Sequence, residues 1–292
     1  GPSFARNKGV EQSKGKYIAF LDNDTKPEKN WLLDPIREME QDSTLGACQC
    51  KLLLMKEPQK LDYAGDYLSQ FGLLVQRVPG GEVDRGQVDQ KVEILSAKSA
   101  AMVIRREAFL KAGGFDPDYF IYVEETDLAW RVWLSGYRII FIPASRVYHE
   151  FGTSSAILGN FQQYLNKFHA PKNYLMTLYK NLGTINLIKI LPIHFFLWVG
   201  VASWFLVKRQ PRLAWYIFLG LGWFIVNLPR NTLKRIKIQR EREITDKKLM
   251  PIIMRRQPLG YFLGKLKTVH RIGKTTSFYV KNEKKKIHKK TA

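Results

Sequence analysis

The chain has 292 residues, of which 45% are hydrophobic and 13% aromatic, so it is long and apolar enough to bury a sizeable core. Its formal charge of +21 is unevenly distributed: residues 1–150 carry 20 basic and 22 acidic side chains, whereas residues 151–292 carry 27 and 4. The excess charge therefore lies in the second half, beside apolar stretches, which disfavours nucleic-acid binding and indicates an ordinary soluble domain followed by a basic region.

The only cysteines, Cys48 and Cys50, fall in a strand-like run over residues 47–55. Side chains two positions apart on a strand share a face but lie about two strand rises apart, so a disulfide between them is not expected. No cysteine-rich metal site is present in the sequence, and the reducing side of a membrane is the simpler assumption.

The stretch YIAFLDNDTKP, residues 17–27, joins a short apolar run to two carboxylates. The run predicts a buried strand over residues 17–21, and Asp22 and Asp24 follow where that strand reaches the surface. Grouped acidic oxygens at a strand end suit Mg²⁺ or Mn²⁺, which in turn can hold a diphosphate. A simple turn explains the same residues about as well, because Asp and Asn are favoured in turns.

The surrounding pattern predicts alternating helices and strands. Helices are predicted at about residues 5–13, 30–42 and 105–112, the last closed by two glycines. Residues 59–91 are rich in Gly, Asp and Gln, and they predict an irregular, exposed region, with a loop over a site as one interpretation.

A second acidic cluster lies in the stretch YFIYVEETDLAWR. Thr126 is predicted to cap a helix that runs to about residue 135, and Glu124, Glu125 and Asp127 stand at its start, where the helix dipole favours negative charge. Asp127 and Arg131 are four residues apart and can pair along the helix. Three acids exceed what capping needs, so a catalytic carboxylate is the favoured interpretation over a simple helix start.

A strand is predicted over residues 137–142, stopped by Pro143, and His149 follows it. A lone histidine is more often structural than a ligand. His149 becomes a candidate metal ligand only if the fold brings it to Asp22 and Asp24.

Two apolar stretches, residues 190–207 and 213–228, are separated by a basic turn. They predict a membrane-associated hairpin with both flanks on the cytoplasmic side, and a buried hairpin of a soluble domain is the alternative. The basic residues 229–292 predict an amphipathic region and a lysine-rich tail, residues 281–290, attracted to anionic headgroups.

Taken together, the first 155 residues resemble the family 2 inverting glycosyltransferases with the GT-A fold, especially the rhamnosyltransferase-like bacterial members. The resemblance rests on three stretches: ARNKGVEQSKGKYIAFLDNDTKPEKNWL, AAMVIRREAFLKAGGFDPDYFIYVEETDLAWRVWLSGYRIIFIP and VYHEFGTS. It implies an α/β fold with a Rossmann-like mixed sheet flanked by helices. It also implies metal-dependent sugar transfer from a nucleotide-diphosphate sugar.

The resemblance also implies a role for each matched residue. Asp22 and Asp24 would hold the divalent cation and the donor diphosphate, with His149 approaching the metal. Glu125 falls where the family usually has the aspartate that acts as general base, so Asp127 is kept as a second candidate. Arg131 would orient the acidic cluster or the diphosphate.

The family normally begins with a strand and a helix that bind the nucleotide base, so the resemblance implies that such a segment precedes Gly1 and that this chain is truncated. The expected organisation is a partial catalytic domain (1–155), a linker or helical region (156–189), the hairpin (190–228) and the basic region (229–292).

The expected activity is sugar transfer, with inversion, to a lipid-linked or polysaccharide acceptor at the cytoplasmic face of the cell membrane. Two alternatives remain open: a non-enzymatic membrane protein with a degenerate transferase domain and, less favoured, a charge-driven nucleic-acid binder.

Overall fold

The computed structural model describes residues 1–150 and 160–262. Residues 151–155 of the predicted catalytic domain lie outside the described residues. So do the end of the basic region and its lysine-rich tail, residues 281–290.

The first half forms a mixed β-sheet with helices on both sides, which confirms the predicted α/β class. Its nine strands are β1 (Tyr17–Leu21), β2 (Thr25–Pro27), β3 (Leu45–Leu54), β4 (Leu61–Tyr63), β5 (Asp66–Leu68), β6 (Leu74–Gln76), β7 (Val92–Glu93), β8 (Ala101–Arg105) and β9 (Arg138–His149). The main sheet has the order β1-β8-β3-β9-β2, with β4 added beside β3 and β7 beside β9, while β5 and β6 form a separate pair. Among the nine strands of residues 1–150, the β3–β9 pair is parallel and the other pairs are antiparallel.

Four short helices flank this sheet: α1 (Pro2–Gln12), α2 (Leu33–Gln41), α3 (Arg106–Lys111) and α4 (Glu124–Leu134), with a 3₁₀ turn at Pro117–Tyr119. Strand residues alternate between two cores, as the period of a strand requires. On β9, for example, Ile139 and Phe141 pack into the core that contains α3 and α4, whereas Ile140 and Ile142 pack into the core that contains α2. Cys48 and Cys50 are free thiols buried in the second core, so the expected absence of a disulfide is confirmed.

Pro143 does not end its strand, contrary to prediction, because β9 continues to His149. The pairing of β9 with β3 shifts register at this point: Ile142 pairs with Cys50, but the next paired residue is Arg146, beside Lys51. A proline is tolerated where a bulge interrupts the ladder, since no amide hydrogen is required there. The continuation matters for function because it carries His149 to the edge where β1 ends.

Residues 59–91 were predicted to be irregular and exposed, and for residues 61–69 this was wrong. Strands β4 and β5 lie in this segment, and all nine residues from Leu61 to Ser69 are buried. The polar residues Asp62 and Asp66 are only 5% exposed each, yet they are held by side-chain partners. The many turn-forming residues of the range 59–91 therefore led to a wrong prediction for the buried residues 61–69.

The second half is helical: α5 (Asn160–Asn181), α6 (Thr184–Val207), α7 (Pro211–Val226), α8 (Leu228–Glu241) and α9 (Asp246–Ile253). The predicted linker region is thus mostly the continuous helix α5, which packs against α4 of the sheet domain as well as against α6, α7 and α8. Among the described residues, α6 alone is long and apolar enough to cross a membrane, while α7 meets that criterion only together with α8, across a 62° bend.

Candidate active site

Two neighbouring carboxylates, Asp22 and Asp24, meet the distant His149 at the end of β1. Ligand atoms of Asp22, Asp24 and His149 lie within 4.8 Å of one another. The Nε2 atom of His149 is 3.4 Å from a carboxylate oxygen of Asp24. The fold therefore brings His149 to Asp22 and Asp24, which was the condition for treating it as a candidate metal ligand.

Strand pairing brings these residues together. Asp22 follows β1 directly, and Asp24 precedes β2, whose first residue, Thr25, pairs with His149 at the end of β9. The amide of Glu150 donates to the carbonyl oxygen of Asp24 at 2.9 Å, which ties the two chain segments together. The long parallel pairing of β9 with β3 sets the position of His149 along the sheet.

A carboxylate behind His149 orients its ring. The Nδ1 atom of His149 lies 2.8 Å from an oxygen of Asp62 on β4, a side chain that is only 6% exposed. Because a carboxylate accepts, Nδ1 carries the proton in this contact and Nε2 faces Asp24. Burial opposes protonation of the ring, but the hydrogen bond to Asp62 and the charges of Asp62, Asp24 and Asp22 outweigh it and raise the pKa of His149.

The donor set fits a divalent cation on chemical grounds. Two carboxylates and one imidazole nitrogen converge, the histidine is oriented by a hydrogen-bonded carboxylate, and the three groups are partly exposed rather than sealed in the core. Carboxylate ligands suit Mg²⁺ and Mn²⁺, and the added imidazole favours Mn²⁺ of the two.

Arg6 on helix α1 joins this acidic edge to helix α4, and sequence reasoning missed it. Its guanidinium lies 3.0 Å from Asp22, 3.1 Å from Glu124 and 3.9 Å from Glu125. Burial lowers the pKa of Arg6, but the charges of Glu125, Asp22 and Glu124 outweigh that effect and raise it. The two acidic clusters of the sequence are therefore one site, with a fixed positive charge between them.

Glu124 and Glu125 occupy different environments within this site. Glu125 is 21% exposed, and its Oε1 accepts a hydrogen bond from the amide of Ser99 at 2.7 Å and another from the Ser99 hydroxyl. Glu124 is 6% exposed, and Arg6 binds its Oε1, while its buried Oε2 has no hydrogen-bond partner among the described residues. Burial, together with the charge of Glu125, raises the pKa of Glu124 to about 7.

Asp127 and Arg131 lie in a buried ion-pair network between helices α4 and α5. Asp127 is fully buried, 2.8 Å from Arg131 and 3.0 Å from Lys180 of helix α5, and Asn181 donates to it at 3.0 Å. Burial raises the pKa of Asp127, but Arg131 and Lys180 outweigh it and hold the pKa below its usual value. The predicted pairing of Asp127 with Arg131 is confirmed. Both side chains are buried, and the Asp127 carboxylate is held in an ion-pair network with Arg131 and Lys180.

Three contributors to the site were missed from the sequence: Arg6, Asp62 and Ser99. Arg6 lies within the first stretch that resembles the family, and that position was the available signal. Asp62 lies in the segment misjudged as exposed. Ser99 lies two residues before Ala101, the first residue of β8, which pairs with Leu21 beside Asp22, so only the register of β1 and β8 reveals it.

Thr126 is not the predicted cap. The helix begins at Glu124, after Val123 in a left-handed conformation, and Thr126 is buried within its first turn.

Comparisons with known proteins give a matching family model and several similar proteins. Residues 17–227 match the model of the glycosyl transferase family group 2. O-antigen biosynthesis protein RfbC of Myxococcus xanthus is 28% identical over 153 residues, covering 51% of this chain and 12% of the relative. Rhamnosyltransferase WbbL of Escherichia coli K12 is 25% identical over 139 residues, covering 46% and 52%.

Solved structures are similar at lower identity. The mannosyltransferase PcManGT of Pyrobaculum calidifontis, solved with GDP-Man and Mn²⁺, is 14% identical with a TM-score of 0.43, covering 82% of this chain and 65% of that one. The chain spans 12%, 28% and 31% of the first three curated relatives that it matches.

Proposed function

Because the chain belongs to the glycosyl transferase family group 2, we propose that it transfers a sugar from a nucleotide-diphosphate sugar to an acceptor hydroxyl, with inversion at the anomeric carbon. The observation that carries the proposal is the joining of two acidic clusters by Arg6 into one site. One cluster, Asp22, Asp24 and His149, has the chemistry of a metal site. The other contains a partly exposed carboxylate suited to acid–base catalysis.

In this proposal Asp22, Asp24 and His149 hold a divalent cation, Mn²⁺ or Mg²⁺, which when bound neutralises charge on the leaving diphosphate. Asp62 keeps the Nε2 atom of His149 directed at that position. Arg6 balances the negative charge between the two clusters, which allows an anionic donor to approach.

Glu125 is the proposed general base. Ser99 holds one of its carboxylate oxygens, which orients the group, and the other oxygen is the one proposed to accept the proton of the acceptor hydroxyl. As that proton moves to Glu125, the acceptor oxygen bonds to the anomeric carbon, and the bond from that carbon to the diphosphate oxygen breaks. Glu124 is buried against Arg6 and is proposed to support the site rather than to touch the acceptor.

The helical half supports membrane attachment. Helices α6 and α7 present large apolar side chains outward, and an 18-residue window of α6 holds at most 2 charged side chains. The most exposed of these side chains are Ile185, Ile188, Phe196, Val207, Trp215, Ile225 and Val226. We propose that this hairpin holds the catalytic domain at the cytoplasmic face of the cell membrane, with the basic α8 near anionic headgroups.

A lipid-linked or growing polysaccharide acceptor follows from this arrangement, because an enzyme anchored in the membrane meets lipid-borne hydroxyls there. A role in synthesis of a cell-surface polysaccharide follows in turn from that acceptor. Nucleic acid is not a proposed partner, since the catalytic half carries no excess of positive charge.

The test is nucleotide release and sugar transfer by membranes that contain the protein, measured with a panel of nucleotide sugars with and without Mn²⁺. We expect turnover that requires the cation and falls at least about a hundredfold in Asp24→Asn. Asp34→Asn, an exposed aspartate at the start of α2 paired with Arg37, is the matched control and should retain activity. A folded, membrane-bound protein that releases no nucleotide from any donor would favour the non-enzymatic alternative.

A further inference from the structure

The backbone just before the proposed base has an uncommon conformation. Phe120, Tyr122 and Val123 have φ angles of 62°, 68° and 66°, in the left-handed region that non-glycine residues rarely adopt. Val123 is unfavourable in this region because its side chain is β-branched. Val123 precedes Glu124 directly, so this segment sets the direction in which α4 begins and where Glu125 lies. Strained backbone of this kind persists only where the surrounding structure holds it.

One side chain of helix α5 holds the segment. The amide nitrogen of Asn173 donates to the carbonyl oxygens of Tyr119, Ile121 and Tyr122 at 3.1, 2.7 and 2.7 Å. The two hydrogens of this amide are thus shared among three backbone carbonyl groups of the segment. Asn173 is fully buried, so water is excluded from these contacts.

The same face of α5 makes further contacts with this part of the chain. The hydroxyl of Tyr119 lies 2.7 Å from that of Thr177, and the ring of Phe120 stacks on His169 with centroids 5.4 Å apart. Lys172 donates to the carbonyl oxygen of Asp118 at 2.6 Å. Helix α5 therefore contacts the chain all the way from the 3₁₀ turn to the start of α4.

Another face of α5 packs on the apolar hairpin. Leu175 and Met176 share a buried cluster with residues of α6 and α7, namely Ala202, Phe205, Ala214, Ile217, Leu221 and Phe224. At Gly220 the helices approach so closely that a Cβ atom would collide with the carbonyl oxygen of Phe168. One helix thus contacts both the proposed membrane region and the segment before the base.

We propose that Asn173 is a positioning residue for the proposed transfer reaction: it holds Phe120, Tyr122 and Val123 at positive φ and thereby places Glu125. Because α5 is seated on α6 and α7, the hairpin contributes to the geometry of the site as well as to attachment. The expected effect of Asn173 on kcat rests on the proposed function, whereas its expected effect on the backbone of residues 120–123 does not.

The test compares Asn173→Leu, which keeps the branched shape of the side chain and removes the donor, with Asn186→Leu. Asn186 also donates from a partly buried amide, to Asp246 at 2.8 Å, but on α6 and far along the chain from α4. In Asn173→Leu we expect hydrogen exchange of the amides of residues 119–127 to rise about tenfold. We also expect kcat to fall about a hundredfold while KM for the donor changes less than about twofold. Asn186→Leu should change none of these.

A glycine rescue separates positioning from general destabilisation. Replacing Val123 by Gly in the Asn173→Leu background removes the penalty of a positive φ, so it should restore part of the lost kcat, about threefold or more. A Val123→Gly change that lowers kcat further in that background would overturn the role of strain. Unchanged exchange in residues 119–127 of Asn173→Leu, or an equal rise in Asn186→Leu, would overturn the proposal. If the wild type releases no nucleotide, the function proposal fails, and hydrogen exchange still decides this one.

Discussion

Helix α4 carries carboxylates of two kinds within one turn, and their environments differ more than their sequence suggests. Glu125 is 21% exposed and belongs to the acidic edge where β1 and β9 end. Asp127, two residues later, is fully buried between Arg131 and Lys180. A rotation of about 200° along the helix separates the two. Acids clustered at the start of a helix can therefore lie on two faces: a chemical face, here that of Glu125, and a structural face, here that of Asp127. Partners on neighbouring helices decide to which face each acid belongs.

The largest expected effect is on the chemical face. Glu125→Gln keeps the shape and the hydrogen bonds from Ser99 but removes the proton acceptor, so turnover should fall about 10²- to 10⁴-fold. The thermal unfolding temperature and Mn²⁺ binding should stay close to wild type. Rates of nucleotide release and sugar transfer measure the effect, and retained turnover would remove Glu125 from the proposed mechanism.

On the structural face, Asp127→Asn should destabilise the fold by about 3–5 kcal/mol, because it leaves buried cations without their full compensation. Since the folded pKa of Asp127 lies below its unfolded value, its stabilising contribution is present above the unfolded pKa and is lost as pH falls through the folded one. Thermal unfolding in detergent measures the loss. A variant that unfolds normally yet is inactive would instead support Asp127 as the base.

Glu124 lies between the two faces, and its raised pKa makes the stability of the fold depend on pH. The folded protein binds this proton more tightly than the unfolded chain, so stability falls as pH rises from 4.5, the ordinary value, to about 7. The loss amounts to about 3 kcal/mol at most. Unfolding of metal-free Glu124→Gln should depend less on pH across that window. An unchanged pH dependence would contradict the assigned burial of this carboxylate.

The smallest effect concerns the orientation of His149. Asp62→Asn weakens the hydrogen bond to Nδ1 of His149 and leaves the three proposed metal ligands unsubstituted, so affinity for Mn²⁺ should fall about 10- to 100-fold. Titration of Mn²⁺ by electron paramagnetic resonance measures this directly, with Asp34→Asn as the control. Equal affinity in Asp62→Asn and the control would show that His149 needs no such partner or does not bind the cation.

Local patterns predicted much of the site and of the fold. The strand that leads to Asp22, the acidic cluster at the start of α4, the glycine-terminated helix α3 and the free cysteines follow from short-range chemistry, and the structure agrees with each. Failures occurred where tertiary pairing overrides local preference. Pro143 lies inside a strand because a bulge accommodates it. Residues 61–69 are buried because their apolar side chains pack in the core and the two aspartates among them, Asp62 and Asp66, hydrogen-bond to His149 and Ser96.

The sequence by itself determined the family, the α/β class and the residue types available for metal binding and acid–base chemistry, because these depend on composition and spacing along the chain. Only the tertiary structure decided which of them act together. The pairing of β2 with β9 brings His149 to Asp24, and Arg6 joins two clusters about a hundred residues apart. Lys180 of α5 pairs with Asp127 in a buried ion-pair network. Strand register and helix packing set these contacts, and neither can be read from a single stretch of chain.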